Sequence, residues 1–153
     1  MKKFLVILVV LASLFTVTAC GGSKKSVTVT GKGESAKSDD GSYTTAEVTL
    51  VDGKFTAVTI DTFYAKSDAW KKELGADYGM KTKNPAAVGE WYEQAEAFEK
   101  WCVGKTADEV ASTPTVTNDE GHVVAEDADL KTGCTISIDQ FLEAVAAAVA
   151  AAK

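Results

Sequence analysis

Residues Ser42 to Tyr64 read SYTTAEVTLVDGKFTAVTIDTFY. Two runs rich in Val, Thr, Ile and Phe flank Asp52-Gly53, a dipeptide that marks a tight hairpin turn. The register follows from where the apolar side chains fall. A two-residue loop pairs Leu50 with Phe55 and scatters the apolar residues over both faces. A three-residue loop pairs Val48 with Val58 and Ala46 with Ile60. It leaves Glu47, Thr49 and Thr59 together on the other face. A one-residue slip would turn every side chain over, so the three-residue loop with a bulge at Gly53 is expected.

Working outward, SVTVT (26–30) alternates and is β-branched, which predicts a first strand. The following GKGESAKSDDGS reads as a polar loop or ragged hairpin turn and lacks phosphate-loop spacing. Downstream, SDAWKKELG predicts a short helix capped by Ser67 and ended by Gly75. DYGMKTK reads as irregular. NPAAVGEWYEQAEAFEKWCVG predicts a longer helix that starts at Asn84-Pro85 and stops at Gly104. Trp91, Ala95, Phe98 and Cys102 fall on one helical stripe and should face the core. Thr106 and Glu109 have capping-box spacing for another short helix. STPTVTNDEGHVVAED reads as a loop or weak strand, and a last helix is expected from about Asp139 to Ala152. Strands first and helices after predict an α+β fold. An antiparallel sheet with a β-hairpin would pack against several helices in one small domain spanning 26–153.

The chain opens MKKFLVILVVLASLFTVTACGG. Two Lys precede an apolar run of about a dozen residues, in the signal-peptide range and too short for a membrane span. Val17-Thr18-Ala19-Cys20 resembles the lipobox of bacterial lipoproteins. It implies a signal peptide over 1–19, a lipid on Cys20 and a flexible Gly/Ser/Lys tether over 20–25. The expected location is the extracytoplasmic face of the cell membrane, held by that lipid. The net charge is −6, and all 16 basic residues are Lys. An acidic chain without Arg argues against a nucleic-acid partner and leaves no guanidinium clamp for a phosphate. Cys102, Cys134 and the single His122 are too few soft ligands for a zinc or haem site. His122 sits among polar residues and reads as solvated. No Ser–His–Asp arrangement or paired-carboxylate site stands out, so no substrate turnover is expected.

The stretch Asp127–Phe141, DADLKTGCTISIDQF, runs straight into the last helix. A helix N-terminus presents free N–H groups and a partial positive charge, which suits a phosphate without Arg. Gly133 permits close backbone approach, and the Thr135 hydroxyl offers an oxygen for an ester. The plainer reading is that Ser137 or Asp139 caps the helix and the rest is turn. On these residues alone both readings stand.

Asp129-Leu130-Lys131-Thr132-Gly133-Cys134-Thr135 resembles the flavinylation motif of the FMN-binding domain family: Asp, two variable residues, Ser or Thr, then Gly-Ala-Thr. The hairpin, ELGADYGM, GEWYEQAEAFEKWCVGKTADEV and the closing helix resemble the same superfamily more loosely. The resemblance implies FMN joined covalently through its phosphate to Thr135 by a dedicated flavin transferase. It places Asp129, Thr132, Gly133 and Cys134 in the cofactor motif, with Cys134 standing where the family has Ala. It also implies an electron carrier with a membrane redox partner. Tyr78, Met80, Trp91 and Tyr92 are candidate neighbours of the flavin ring. Two alternatives remain open. One is a non-redox structural or ligand-binding lipoprotein on the same fold, without flavin, in which a Cys102–Cys134 disulfide worth about 3–4 kcal/mol staples the loop to the long helix. The other is flavin held without a covalent bond.

Overall fold

The computed structural model describes residues 25–153. The expected leader, the lipid site at Cys20 and the tether through Lys24 lie outside the described residues. Four antiparallel strands form the main sheet in the order β1 (Thr28–Glu34), β2 (Tyr43–Val51), β3 (Lys54–Tyr64) and β4 (Ala69–Trp70). A second, two-stranded sheet pairs β5 (Thr115–Thr117) with β6 (Val123–Ala125). The helices are α1 (Lys71–Leu74), α2 (Met80–Lys83), α3 (Trp91–Cys102), α4 (Ala107–Ala111) and α5 (Asp139–Ala151). The fold is α+β, with one face of the antiparallel sheet covered by helices.

The expected pairs Val48↔Val58 and Ala46↔Ile60 are present, but the loop that produces them differs. Asp52 (φ 50) and Gly53 (φ 81) make a two-residue turn, and Val51↔Lys54 and Leu50↔Phe55 pair directly across it. The register then jumps to Thr49↔Ala57, which leaves Thr56 as the extra residue. Its hydroxyl donates to the Thr49 carbonyl at 3.2 Å. Asp-Gly favours the positive-φ turn whose twist matches the strands. The bulge at Thr56, three residues after Gly53, then brings the apolar side chains back to one face. Ala46, Val48, Leu50, Phe55, Val58 and Ile60 are all buried.

β1 is longer than expected and absorbs Gly31, Lys32, Gly33 and Glu34 from the stretch expected as a loop or ragged hairpin turn, and the rest of that stretch returns the chain antiparallel into β2. Gly31 and Gly33 lie opposite Val48 and Ala46 on the inner face, where α5 crosses close above them. A Cβ added at Gly33 would stand 2.1 Å from the Ala148 nitrogen and 2.6 Å from the Ala144 oxygen. The absent side chains are what let helix and strand touch. The last residue also joins the edge of β1, with the Lys153 N–H donating to the Thr30 carbonyl at 3.2 Å.

α3 lies over β3 and buries Trp91, Ala95, Phe98 and Cys102, as the spacing predicts. It meets α5 through Phe141, whose ring centre is 5.3 Å from Phe98 and 5.8 Å from Trp91. Two helix starts move. α3 starts at Trp91 rather than Asn84, because Glu90 and Glu93 form a reciprocal capping box. Asn84 instead accepts the Ala86 N–H at 3.1 Å in a local turn. Ser67 caps nothing. Ala69-Trp70 pairs with β3, and α1 is a single turn that begins at Lys71. DYGMKTK is ordered as a 3₁₀ turn (Gly75–Tyr78) followed by α2. The Thr106/Glu109 capping box opens α4 as expected. Among the described residues no helix is long and apolar enough to cross a membrane.

Candidate functional site

The loop before α5 is fixed from three sides. Asp127 Oδ1 accepts the N–H groups of Asp129 and Leu130 and the indole N–H of Trp101, at 3.1, 2.9 and 3.1 Å. Leu130 plugs into the core, and its carbonyl accepts the Cys134 N–H at 2.9 Å. At the far end the Ile138 N–H donates to Val123 of β6 at 2.9 Å. Between these anchors Thr135 points outward and is exposed, while Cys134 turns inward and is fully buried.

Thr135 borders a cavity of ≈ 470 Å³, within the usual range for small-molecule sites. Trp91, Tyr78, Met80, Ile136 and Phe141 supply its apolar walls, and Lys71 and Lys83 its positive charge. Gln94 sits at its base. The Gln94 side chain is fully buried, and its Oε1 accepts both the Thr135 N–H at 2.9 Å and the Thr135 hydroxyl at 3.2 Å. Its Nε2 donates to the Gly89 carbonyl at 2.9 Å and to the Met80 sulfur at 3.2 Å. One amide thus joins the loop, the start of α3 and α2. Glu90 completes the frame, accepting the Met80 N–H at 2.8 Å.

The motif residues divide between the two sides of the loop. Thr135 lines the cavity; Asp129, Thr132, Gly133 and Cys134 do not. Asp129 and Thr132 are exposed on a 3₁₀ turn, Leu130–Thr132, with the Thr132 hydroxyl donating to the Asp129 carbonyl at 2.7 Å. Gly133 has an ordinary φ of −123. It is small for a different reason than ligand approach: an added Cβ would lie 2.8 Å from Ala97 Cβ of α3. Ser137 and Asp139 do not cap α5. Its cap position is Ile138, with no side-chain hydrogen bond, and the first turn opens beside the cavity, which Ser137, Asp139, Gln140 and Phe141 line.

Of the expected ring neighbours, Tyr78, Met80 and Trp91 line the cavity and Tyr92 does not. His122 is exposed, as expected of a solvated residue, yet it also borders the cavity with Glu120, whose carboxylate is 3.6 Å away. The disulfide considered above is not formed. Cys102 and Cys134 are free, buried thiols, and burial pushes both up to about 12. Among the described residues no cluster of His, Cys, Asp and Glu suits a metal ion.

Sequence reasoning missed Gln94, Lys71 and Lys83. Gln94 carried a signal, since it is the polar residue on the Trp91–Ala95–Phe98 stripe. Lys71 carried none.

No family model matches the chain, and no curated protein matches it. A structural-genomics target from Clostridium thermocellum, solved by solution NMR, is similar at 24% identity over 79% of this chain and 88% of that one, with a TM-score of 0.47.

Proposed function

We propose that this chain is a lipid-anchored extracytoplasmic carrier that holds FMN by a phosphoester to Thr135 and passes electrons between a membrane partner and acceptors outside the cell. One observation carries the reading: Thr135, an exposed residue whose hydroxyl donates to Gln94, stands at the edge of an aromatic-walled cavity that also holds lysines. The residues fit the group. Trp91, Tyr78, Met80 and Phe141 offer faces to a tricyclic ring, and the uncapped start of α5 offers N–H groups to a phosphate. When bound, FMN supplies the redox chemistry, and the protein orients and tunes it.

The chain's own part begins with Gln94. By accepting the Thr135 hydroxyl proton, it turns the oxygen's lone pairs toward solvent. Asp129 and Thr132 lie on the exposed face of the same loop, where a modifying transferase reads them from outside. Cys134 in place of Ala is tolerated because its thiol packs inward and stays protonated, away from the cavity. The membrane attachment rests on the lipobox resemblance at Cys20. The chain binds and positions a cofactor and turns over no substrate of its own.

The test is co-expression with an active flavin transferase, followed by a denaturing gel viewed for flavin fluorescence. A fluorescent band that disappears in Thr135→Ala supports the reading. No band with a transferase that modifies a control substrate refutes covalent attachment. Flavin that co-purifies with the native protein but leaves on denaturation assigns the cavity to a non-covalent ligand.

A further inference from the structure

Lys71, the first residue of α1, holds its ammonium among three aromatic rings. The nitrogen is 4.8 Å from the ring centre of Tyr78, 5.0 Å from Trp91 and 5.6 Å from Tyr64. No carboxylate reaches ion-pair distance among the described residues. The adjacent Lys72 takes Glu99 at 2.6 Å, and Asp61 accepts the backbone N–H groups of Lys72 and Thr62 at 3.1 and 2.8 Å. Asp40 and Asp61 act on Lys71 only through space, and Lys83 opposes them. Desolvation dominates and lowers Lys71 to about 8. Lys71 also borders a second, more open hollow of ≈ 510 Å³. It shares that position with Thr62, Tyr78 and Gln140, which line both cavities. A partly dehydrated cation seated on π faces, with carboxylates such as Asp40 near it but none among the described residues at ion-pair distance, is an incomplete arrangement, because a charge out of water calls for an anionic partner.

We propose that Lys71 is the charge that meets the electron-rich polar edge of the ring bound in this cavity, and that it favours the negatively charged reduced ring over the neutral oxidised one. The inference rests on the FMN reading above and names what the protein does to the ring. Reduction adds two electrons from an external donor and one proton from water, so the ring gains one net negative charge. Lys71 neither gives nor takes the proton; its ammonium remains charged and offsets the new charge across the cavity. Trp91 and Tyr78 hold that ammonium in place and exclude water from one side of it. Lys83 is exposed, and its ammonium donates to the Tyr78 carbonyl at 2.9 Å. It contributes little to this effect.

The experiment is a reductive titration with dithionite of the flavin-loaded protein against a dye of known potential. It compares wild type with Lys71→Met, Lys71→Arg and Lys83→Met. The expected result for Lys71→Met is a fall of about tenfold in the ratio of reduced to oxidised ring at fixed potential, about 30 mV for two electrons. Lys71→Arg should restore most of it, and Lys83→Met should stay near wild type. An unmoved midpoint in Lys71→Met overturns the proposal. So does an equal shift in Lys71→Met and Lys71→Arg, which would trace to packing and not charge, or a shift in Lys83→Met as large as that in Lys71→Met. If Lys71→Met fails to fold, Lys71→Gln is read in its place. Wild type without covalent flavin on the denaturing gel overturns the FMN reading itself, before any Lys71 variant is compared.

Discussion

Replacing Gln94 by Leu tests whether the site is built as described. The two side chains have similar volume, so the change removes polar atoms without opening a large void. The loss is then confined to hydrogen bonds. The Gly89 carbonyl, buried and paired at 2.9 Å with Gln94 Nε2, is left without a donor. A stranded buried acceptor costs about 1–3 kcal/mol. The Thr135 N–H loses its 2.9 Å acceptor beside the cavity, where water can partly replace it, for about 0.5–1 kcal/mol. Thr135 is an exposed residue, so its hydroxyl, once released from Gln94, turns to solvent at small cost. Gln94→Leu should therefore lose about 2–3 kcal/mol in urea denaturation, with an unchanged m-value. It should also lose flavin loading, because the Thr135 oxygen is no longer held toward the cavity. Gln94→Glu separates the two effects. A carboxylate still accepts from Thr135 but faces the Gly89 carbonyl with no proton to donate. Its pKa in the folded protein is raised above the free value of about 4.3. Its stability is then near wild type below that free value and falls as pH rises through the folded pKa. Gln94→Leu within about 0.5 kcal/mol of wild type, the ordinary surface range, with loading intact, would refute the view that this amide organises the site.

Gly33→Ala should lose about 3 kcal/mol or more in the same assay, because its Cβ would meet Ala148 and Ala144 backbone atoms that no rotamer change can move. Gly133→Ala is softer, at about 1–2 kcal/mol, since its 2.8 Å clash is with the Ala97 side chain; Ala97→Gly in the same chain should recover part of that loss. Cys102 and Cys134, pushed up by burial, should react with a thiol reagent at pH 8 only as the protein unfolds. Their folded values of about 12 against an ordinary 9.0 also mean that stability falls as pH rises from 9 toward 12. Lys71 acts in the opposite sense. Its charged form is disfavoured on folding, so its contribution rises with pH from about 8 to its ordinary 10.5. The two trends overlap, so the clean measurement is the stability difference between wild type and Lys71→Met against pH. That difference should climb across this window and be flat below it.

These sites show how far the amino-acid order reaches. Val48↔Val58 and Ala46↔Ile60 were legible because the apolar residues tolerate only one inner face. The position of the bulge was not, since a three-residue loop and a two-residue turn with a later bulge restore the same pairs. The start of α3 was misplaced because Asn84-Pro85 is as good a local start as Glu90. Only the Glu90 carboxylate, shared between the α3 cap and the Met80 and Lys81 N–H groups, settles it. The strand at Ala69-Trp70 depends on the Trp70 ring meeting Phe63 at 5.6 Å and Tyr43 at 5.8 Å, partners from two other strands. Lys71 was invisible for the same reason, as its three rings come from β3, a 3₁₀ turn and α3. Gln94 is the instructive case. A glutamine on an apolar stripe is costly unless each of its polar atoms finds a partner. Its presence three residues after Trp91 therefore announced a polar contact in the core. Which contact it would be followed from the loop, because Thr135 follows a buried cysteine and precedes a tethered isoleucine. With Cys134 turned in and Ile138 tied to Val123, the intervening threonine has both its backbone N–H and its hydroxyl on Gln94 at the edge of the cavity. The residue that looks out of place on α3 and the residue singled out by the loop motif are therefore two ends of one hydrogen-bonded unit.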